Sequence, residues 1–75
     1  MVTLRELRTG KLLSIRALAL AAGVSPQTIV AIEAGRRAPR FVTMRKIAAA
    51  LAVEPVEVAE FAEAVRQAAE GKEAA

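Results

Sequence analysis

Residues 15–34 read IRALALAAGVSPQTIVAIEA, and the spacing of their apolar residues decides the fold. Leu18, Ala19 and Ala22 stand at i, i+1 and i+4, which puts them on one face of a helix. Gly23 stops that helix, because a residue free to take φ > 0 closes a helix at least cost. Val24 then plugs the corner. Ser25 is a good N-cap and Pro26 a good first helical residue. Ile29 and Ile32, three apart, give a second helix its apolar edge. The unit is helix, tight turn, helix, with both inner faces apolar and the small Ala19 where the helices approach most closely. The same spacing also fits an αα-hairpin in a small bundle without a nucleic-acid role.

The flanks bear on that choice. Thr3 followed by Glu6 makes a capping box for a first helix from about Thr3 to Thr9, with Leu4 and Leu7 facing inward and Gly10 ending it. Leu12 and Leu13 lead into the second helix, capped by Ser14. After Gly35 comes a basic loop, GRRAPRF. Phe41, Met44, Ile47, Ala48 and Leu51 then recur at three and four, a core stripe for a helix from Phe41 to about Leu51. Ala52-Val53 is the connection. Glu54-Pro55-x-Glu57 is expected to open a fifth helix, with proline at its first position and acids at its positive end. That helix is expected to continue to about Ala69 before Gly71, with Val58 and Phe61 reaching the core.

Composition narrows the function classes. The chain has 75 residues, the size of one domain, with no cysteine, histidine or aspartate. Disulfides and a zinc site are therefore excluded, and no metal or cofactor is expected. The usual general base is missing and no nucleophile, base and orienting group come together, so an enzyme is not expected. Ser14 and Ser25 read as helix caps. No apolar run reaches the roughly 18 residues of a membrane span, and the start, MVTLRELRTG, lacks the apolar stretch of a signal peptide. A cytoplasmic, nucleoid-associated location is the expectation. The net charge of +3 conceals a division. Residues 1–46 hold nine Lys/Arg against Glu6 and Glu33, a net +7, and residues 47–75 hold two against six Glu, a net −4. The helix-turn-helix lies in the basic half, which suits a polyanion.

The quoted stretch resembles the helix-turn-helix of the lambda-repressor and Cro-like (XRE-type) DNA-binding family. That family's signature has an apolar fourth residue, a small fifth, a glycine ninth, and apolar tenth, fifteenth and eighteenth residues. Leu18, Ala19, Gly23, Val24, Ile29 and Ile32 occupy those places. The resemblance implies an all-α, five-helix repressor-like bundle with the helix-turn-helix at its second and third helices. One domain is expected over residues 1–75, with its core at about 3–65, an extended helix and tail at 66–75, and no sensor domain.

It also implies roles. The third helix, about Pro26 to Ala34, is expected to enter the major groove of duplex DNA, its first, second and sixth residues facing base edges. Those are Pro26, Gln27 and Ala31. Gln27 is suited to adenine and the Ala31 methyl to thymine. Ser25, Thr28, Arg16, Arg36 and Arg37 are expected at phosphates. Pro39-Arg40-Phe41 resembles a segment of the lambdoid repressors whose arginine enters a narrowed minor groove, which would make Arg40 a reader of groove shape. Phe41 is expected to anchor this loop in the core. Relatives often carry a phosphate-gripping Gln at the start of the second helix, where this chain has Ile15. An Arg–Glu pair that ties the first helix to the third in the family corresponds here to Arg8 and Glu33.

The last helix commonly mediates two-fold dimers in this family. Phe61, Ala62, Val65, Ala68 and Ala69 are the expected dimer interface, since the stripe runs beyond what four short helices can cover. The expected function is sequence-specific binding of double-stranded DNA by a dimeric transcriptional regulator, a repressor. Two alternatives use the same fold. One is an antitoxin whose C-terminal segment covers a protein partner, and the other is a protein-interaction adaptor working through the fifth helix.

Overall fold

The computed structural model describes residues 2–36 and 38–70. Among them the chain forms five α-helices: α1 (Leu4–Gly10), α2 (Ile15–Ala22), α3 (Pro26–Glu33), α4 (Phe41–Leu51) and α5 (Ala59–Glu70), with a 3₁₀ turn at Pro55–Glu57. The three expected caps form. Glu6 N donates to Thr3 Oγ1 at 3.1 Å while Thr3 N donates to Glu6 Oε1 at 2.9 Å. Ala17 N donates to Ser14 Oγ at 3.0 Å and Thr28 N to Ser25 Oγ at 3.2 Å. Each cap satisfies amide donors that the first helical turn leaves without partners.

Helices α1 to α4 end in one motif. The amides of Leu13, Val24, Arg36 and Val53 each bond back to a carbonyl five residues earlier, those of Arg8, Ala19, Ala31 and Ala48, all at 3.0 Å. Such a closure needs a left-handed residue just before the donor. Gly23 (φ 74) and Gly35 (φ 71) supply it for α2 and α3, but Leu12 (φ 60) and Ala52 (φ 59) supply it for α1 and α4. Gly10 is therefore not the residue that closes α1. It is the last residue of the helix, and the left-handed position falls two residues later.

The fifth helix also starts later than expected. The Glu54-Pro55-x-Glu57 signal caps the 3₁₀ turn, where Glu54 N donates to Glu57 Oε2 at 2.9 Å. Val58 is then extended (φ −92, ψ 123) and forms a parallel β-bridge with Val2. Ala59 N donates to Val2 O at 2.7 Å. The extended backbone lets Val58 turn its side chain wholly inward while its neighbour's amide finds a partner on the N-terminal segment. Leu4 N donates to Glu60 Oε1 at 2.8 Å, so the same corner ties α1 to α5.

The core is Leu4 of α1; Leu18, Ala19 and Ala22 of α2; Ile29 and Ile32 of α3; Met44, Ile47 and Leu51 of α4; then Val58 and Phe61. Two expectations are corrected here. Phe41 does not anchor its loop in the core: it is half exposed, at 52%. It is the first residue of α4 and sits on the rim of the stripe that Met44, Ile47, Ala48 and Leu51 bury. Phe61, expected at a dimer interface, is fully buried in the monomer and presents no side chain to a partner. Burying a phenyl ring inside so small a core is worth about 2 kcal/mol or more, which holds it inward.

Arg8 is the one buried charged residue of the described chain. Its Nε donates to Glu33 Oε2 at 2.6 Å, its Nη2 to Glu33 Oε1 at 3.1 Å and its Nη1 to Leu13 O at 2.9 Å. The two-point bond raises the guanidinium above its ordinary pKa, against the opposing effect of desolvation. It fixes the end of α3 to α1 across 25 residues of chain.

Candidate nucleic-acid interface

Helices α2 and α3 meet at a bend of 115°, within the range of a helix-turn-helix. The angle follows from local chemistry. Gly23 closes α2 in a left-handed conformation, Val24 packs against the core, and Ser25 with Pro26 starts α3 at once. Ile29 and Ile32 hold the inner face of α3 down, so the opposite face points away from the protein.

On that face Gln27 is exposed, Val30 is 37% exposed and Ala31 is half-buried. Together with Arg36 they line one open cleft of about 460 Å³. Pro26 is exposed at the first turn. Ser25 and Thr28 come together, but their hydroxyls bond to each other at 2.9 Å. Ser25 Oγ also accepts from Thr28 N, so the Thr28 oxygen keeps an acceptor site in either arrangement, and the shared proton leaves one hydroxyl donor for an outside group.

A second cleft, of about 250 Å³, runs beside α3 and is lined by Thr28, Ile32, Ala38, Pro39, Arg40 and Thr43. Arg40 is the N-cap residue of α4 but makes no side-chain cap bond, and it is exposed. Arg36 is exposed at the other end of α3, and Arg16 on the first turn of α2. Arg36 thus borders the cleft on the outward face of α3, and Arg40 the cleft beside it. Arg37 lies outside the described residues. Ile15 is half-buried and packs against the core, so the place where relatives carry a phosphate-binding Gln is used here for packing.

Sequence reasoning left Val30 out of the reading set, although it lines the same cleft as Gln27 and Ala31. Helical spacing does turn this apolar residue outward, about 100° from Ile29 and about 160° from Ile32. Thr43, which faces the second cleft beside Arg40, was also missed and carried no sequence signal.

The expected dimer residues are spread over different environments. Beyond the buried Phe61, Ala62 is half-buried, Val65 is 36% exposed, and Ala68 and Ala69 are exposed. Val65 shares a small apolar cleft of about 160 Å³ with Phe41, Met44, Arg45 and Pro55. Past it, Arg66 pairs with Glu63 at 2.5 Å and with Glu70 at 2.8 Å. The Arg66 bond holds the Glu63 carboxyl below its ordinary pKa.

A capped second helix set across a first at this angle, with Arg36 and Arg40 beside it, defines a helix-turn-helix DNA-binding protein. The chain belongs to the helix-turn-helix family of Cro/C1-type transcriptional regulators, whose family description, Helix-turn-helix, matches residues 4–58. It is 40% identical over 77 residues to the uncharacterized HTH-type transcriptional regulator RghRB of Bacillus subtilis (strain 168). That match covers 91% of this chain but 55% of RghRB, so the chain spans about half the length of that relative. It is 42% identical to the restriction-modification controller protein C.AhdI from Aeromonas hydrophila, whose crystal structure superposes with a TM-score of 0.70 over 72% of this chain and 82% of that one. Among the described residues no single helix is long and apolar enough to cross a membrane.

Proposed function

We propose that this chain is a sequence-specific repressor that binds double-stranded DNA as a two-fold dimer. The observation that carries the reading is the outward face of α3, whose open cleft is bordered by the exposed Arg36, with the exposed Arg40 lining the neighbouring cleft. Arginines at phosphates supply affinity without sequence information, and base edges facing α3 supply the choice of site. Gln27 bonds to adenine through its amide. Pro26 and Ala31 contact bases by shape, Ser25, Thr28 and Arg37 serve the backbone, and Arg40 favours a narrow, A/T-rich minor groove.

The dimer places its two recognition helices in successive major grooves about 34 Å apart. Its contact surface centres on Val65, with the half-exposed Phe41 beside it in one apolar cleft, and Ala62, Ala68 and Ala69 extend it along α5. Likeness to C.AhdI favours a control role in a restriction–modification system.

Selection of bound sequences from a random duplex pool, followed by titration at two salt concentrations, tests the reading. The expected result is an enriched inverted repeat whose binding weakens steeply with salt and loses its preference in Gln27→Ala. A pool that stays random, with negligible binding even at low salt, overturns it and directs attention to protein partners of α5.

A further inference from the structure

The outward face of α3 is unusually apolar for a helix turned to solvent. At 100° per residue, Ile29 and Ile32 fix the inward direction, and Gln27 lies opposite it. Val30 then falls about 60° to one side of Gln27, Ala31 about 40° to the other and Ala34 about 20° away. Three of these four side chains are apolar. Glu33, the acid of α3, is turned away to Arg8. Valine is also a poorer helix former than alanine, and Val30 remains 37% exposed. This side chain lies within a cleft bounded by Gln27 and Arg36.

We propose that Val30 is a specificity-determining residue that reads the C5 methyl group of a thymine in the major groove. The inference rests on the DNA-binding reading above. Thymine is the base that carries a methyl group on the major-groove edge, and an isopropyl group beside Gln27 offers that methyl an apolar contact while offering a cytosine edge nothing to bond. Ala31 and Ala34 continue the apolar surface without competing for the same base. From Gln27 to Val30 the helix rises about 4.5 Å, comparable with a base step of about 3.4 Å. The thymine therefore belongs to the base pair next to the one that Gln27 contacts. The flanking Arg36 argues for a polyanion here over an apolar protein partner.

The test uses the duplex selected by the wild-type chain. Each thymine is replaced singly by deoxyuridine, which removes the methyl and nothing else, and affinity is measured for the wild type and for Val30→Ala. One replacement, adjacent to the base pair sensitive to Gln27→Ala, is expected to weaken wild-type binding about fourfold, the worth of one buried methyl. The same replacement should change Val30→Ala by less than about twofold, because the contact is already gone. The helical circular dichroism of Val30→Ala should be unchanged. Tight, selective wild-type binding that is indifferent to every methyl, or a methyl effect that persists in Val30→Ala, overturns the proposal and leaves the DNA-binding reading intact. Failure to select any sequence overturns both.

Discussion

Replacing Glu33 by Gln leaves the Arg8 guanidinium charged and enclosed, with one amide oxygen and the Leu13 carbonyl as neutral acceptors and an amide NH2 facing its other N–H. Both side chains are only 9% exposed, so water compensates poorly. Breaking one side of such a pair costs about 3–5 kcal/mol, and the residual exposure puts this case near about 3. Arg8→Met leaves the Glu33 carboxylate unbonded and the Leu13 carbonyl without its donor. Arg5, whose Nε lies 4.0 Å from Glu33 Oε1 on a side chain 76% exposed, can return part of the lost charge balance. The net is again about 3 kcal/mol. For a domain this small each loss should lower Tm by roughly 12–24 °C. The double variant Arg8→Met/Glu33→Gln removes both charges at once and should cost about 2 kcal/mol, far less than the two losses added. Urea unfolding of the four proteins followed by circular dichroism gives the cycle directly. Single losses under about 1 kcal/mol that simply add in the double variant would show two independent surface charges, and the tie between α1 and α3 would then carry no stability.

Four further outcomes follow from the geometry. Leu12→Gly and Ala52→Gly should each stabilise the chain by about 0.5–1 kcal/mol. Both residues sit at φ near +60, where a side chain costs about 1–2 kcal/mol, partly offset by the extra freedom glycine gives the unfolded chain; thermal unfolding measures this. Acid should fray the end of α5. Glu63 is held below its ordinary 4.5 by Arg66, so the pair's support is complete above that value and is lost as pH falls through the lower folded one. Carbon chemical shifts of residues 63–70 report the change. Arg36→Ala should weaken binding about equally on selected and random duplexes and reduce the salt slope by roughly one; loss confined to the selected site would make Arg36 a base reader. Val65→Glu should shift sedimentation equilibrium toward monomer and weaken binding to an inverted repeat, whereas unchanged mass and affinity would remove Val65 from the dimer surface.

What could be read from the chain in advance divides by the range of the interaction that decides it. The bounds of α2 and α3 follow from residues within a turn of each end: Ser14 and Ser25 cap, Gly23 closes, and Ile29 and Ile32 repeat at helical spacing. The start of α5 was set elsewhere. Pro55 with flanking acids is as good a beginning for a 3₁₀ turn as for an α-helix. What decides between them is the bridge from Val58 to Val2, a pairing across almost the whole chain that no local pattern announces. Phe41 and Phe61 show the same limit in side chains. Both fit an apolar stripe, but periodicity gives an azimuth and not a depth: at the first turn of α4 the ring stays half in water, and at the start of α5 it is enclosed. Arg8 and Glu33 lie too far apart in the chain for spacing to pair them, and only the family resemblance points to the pair. At the interface, helical azimuth alone puts Gln27, Val30 and Ala31 on one face. The flanking cations depend on how the loop after Gly35 returns to α4, a tertiary fact. In the proposed mode of recognition the division is the same: the base-reading face would be written locally in eight residues of α3, and the charge beside it would be assembled by the fold.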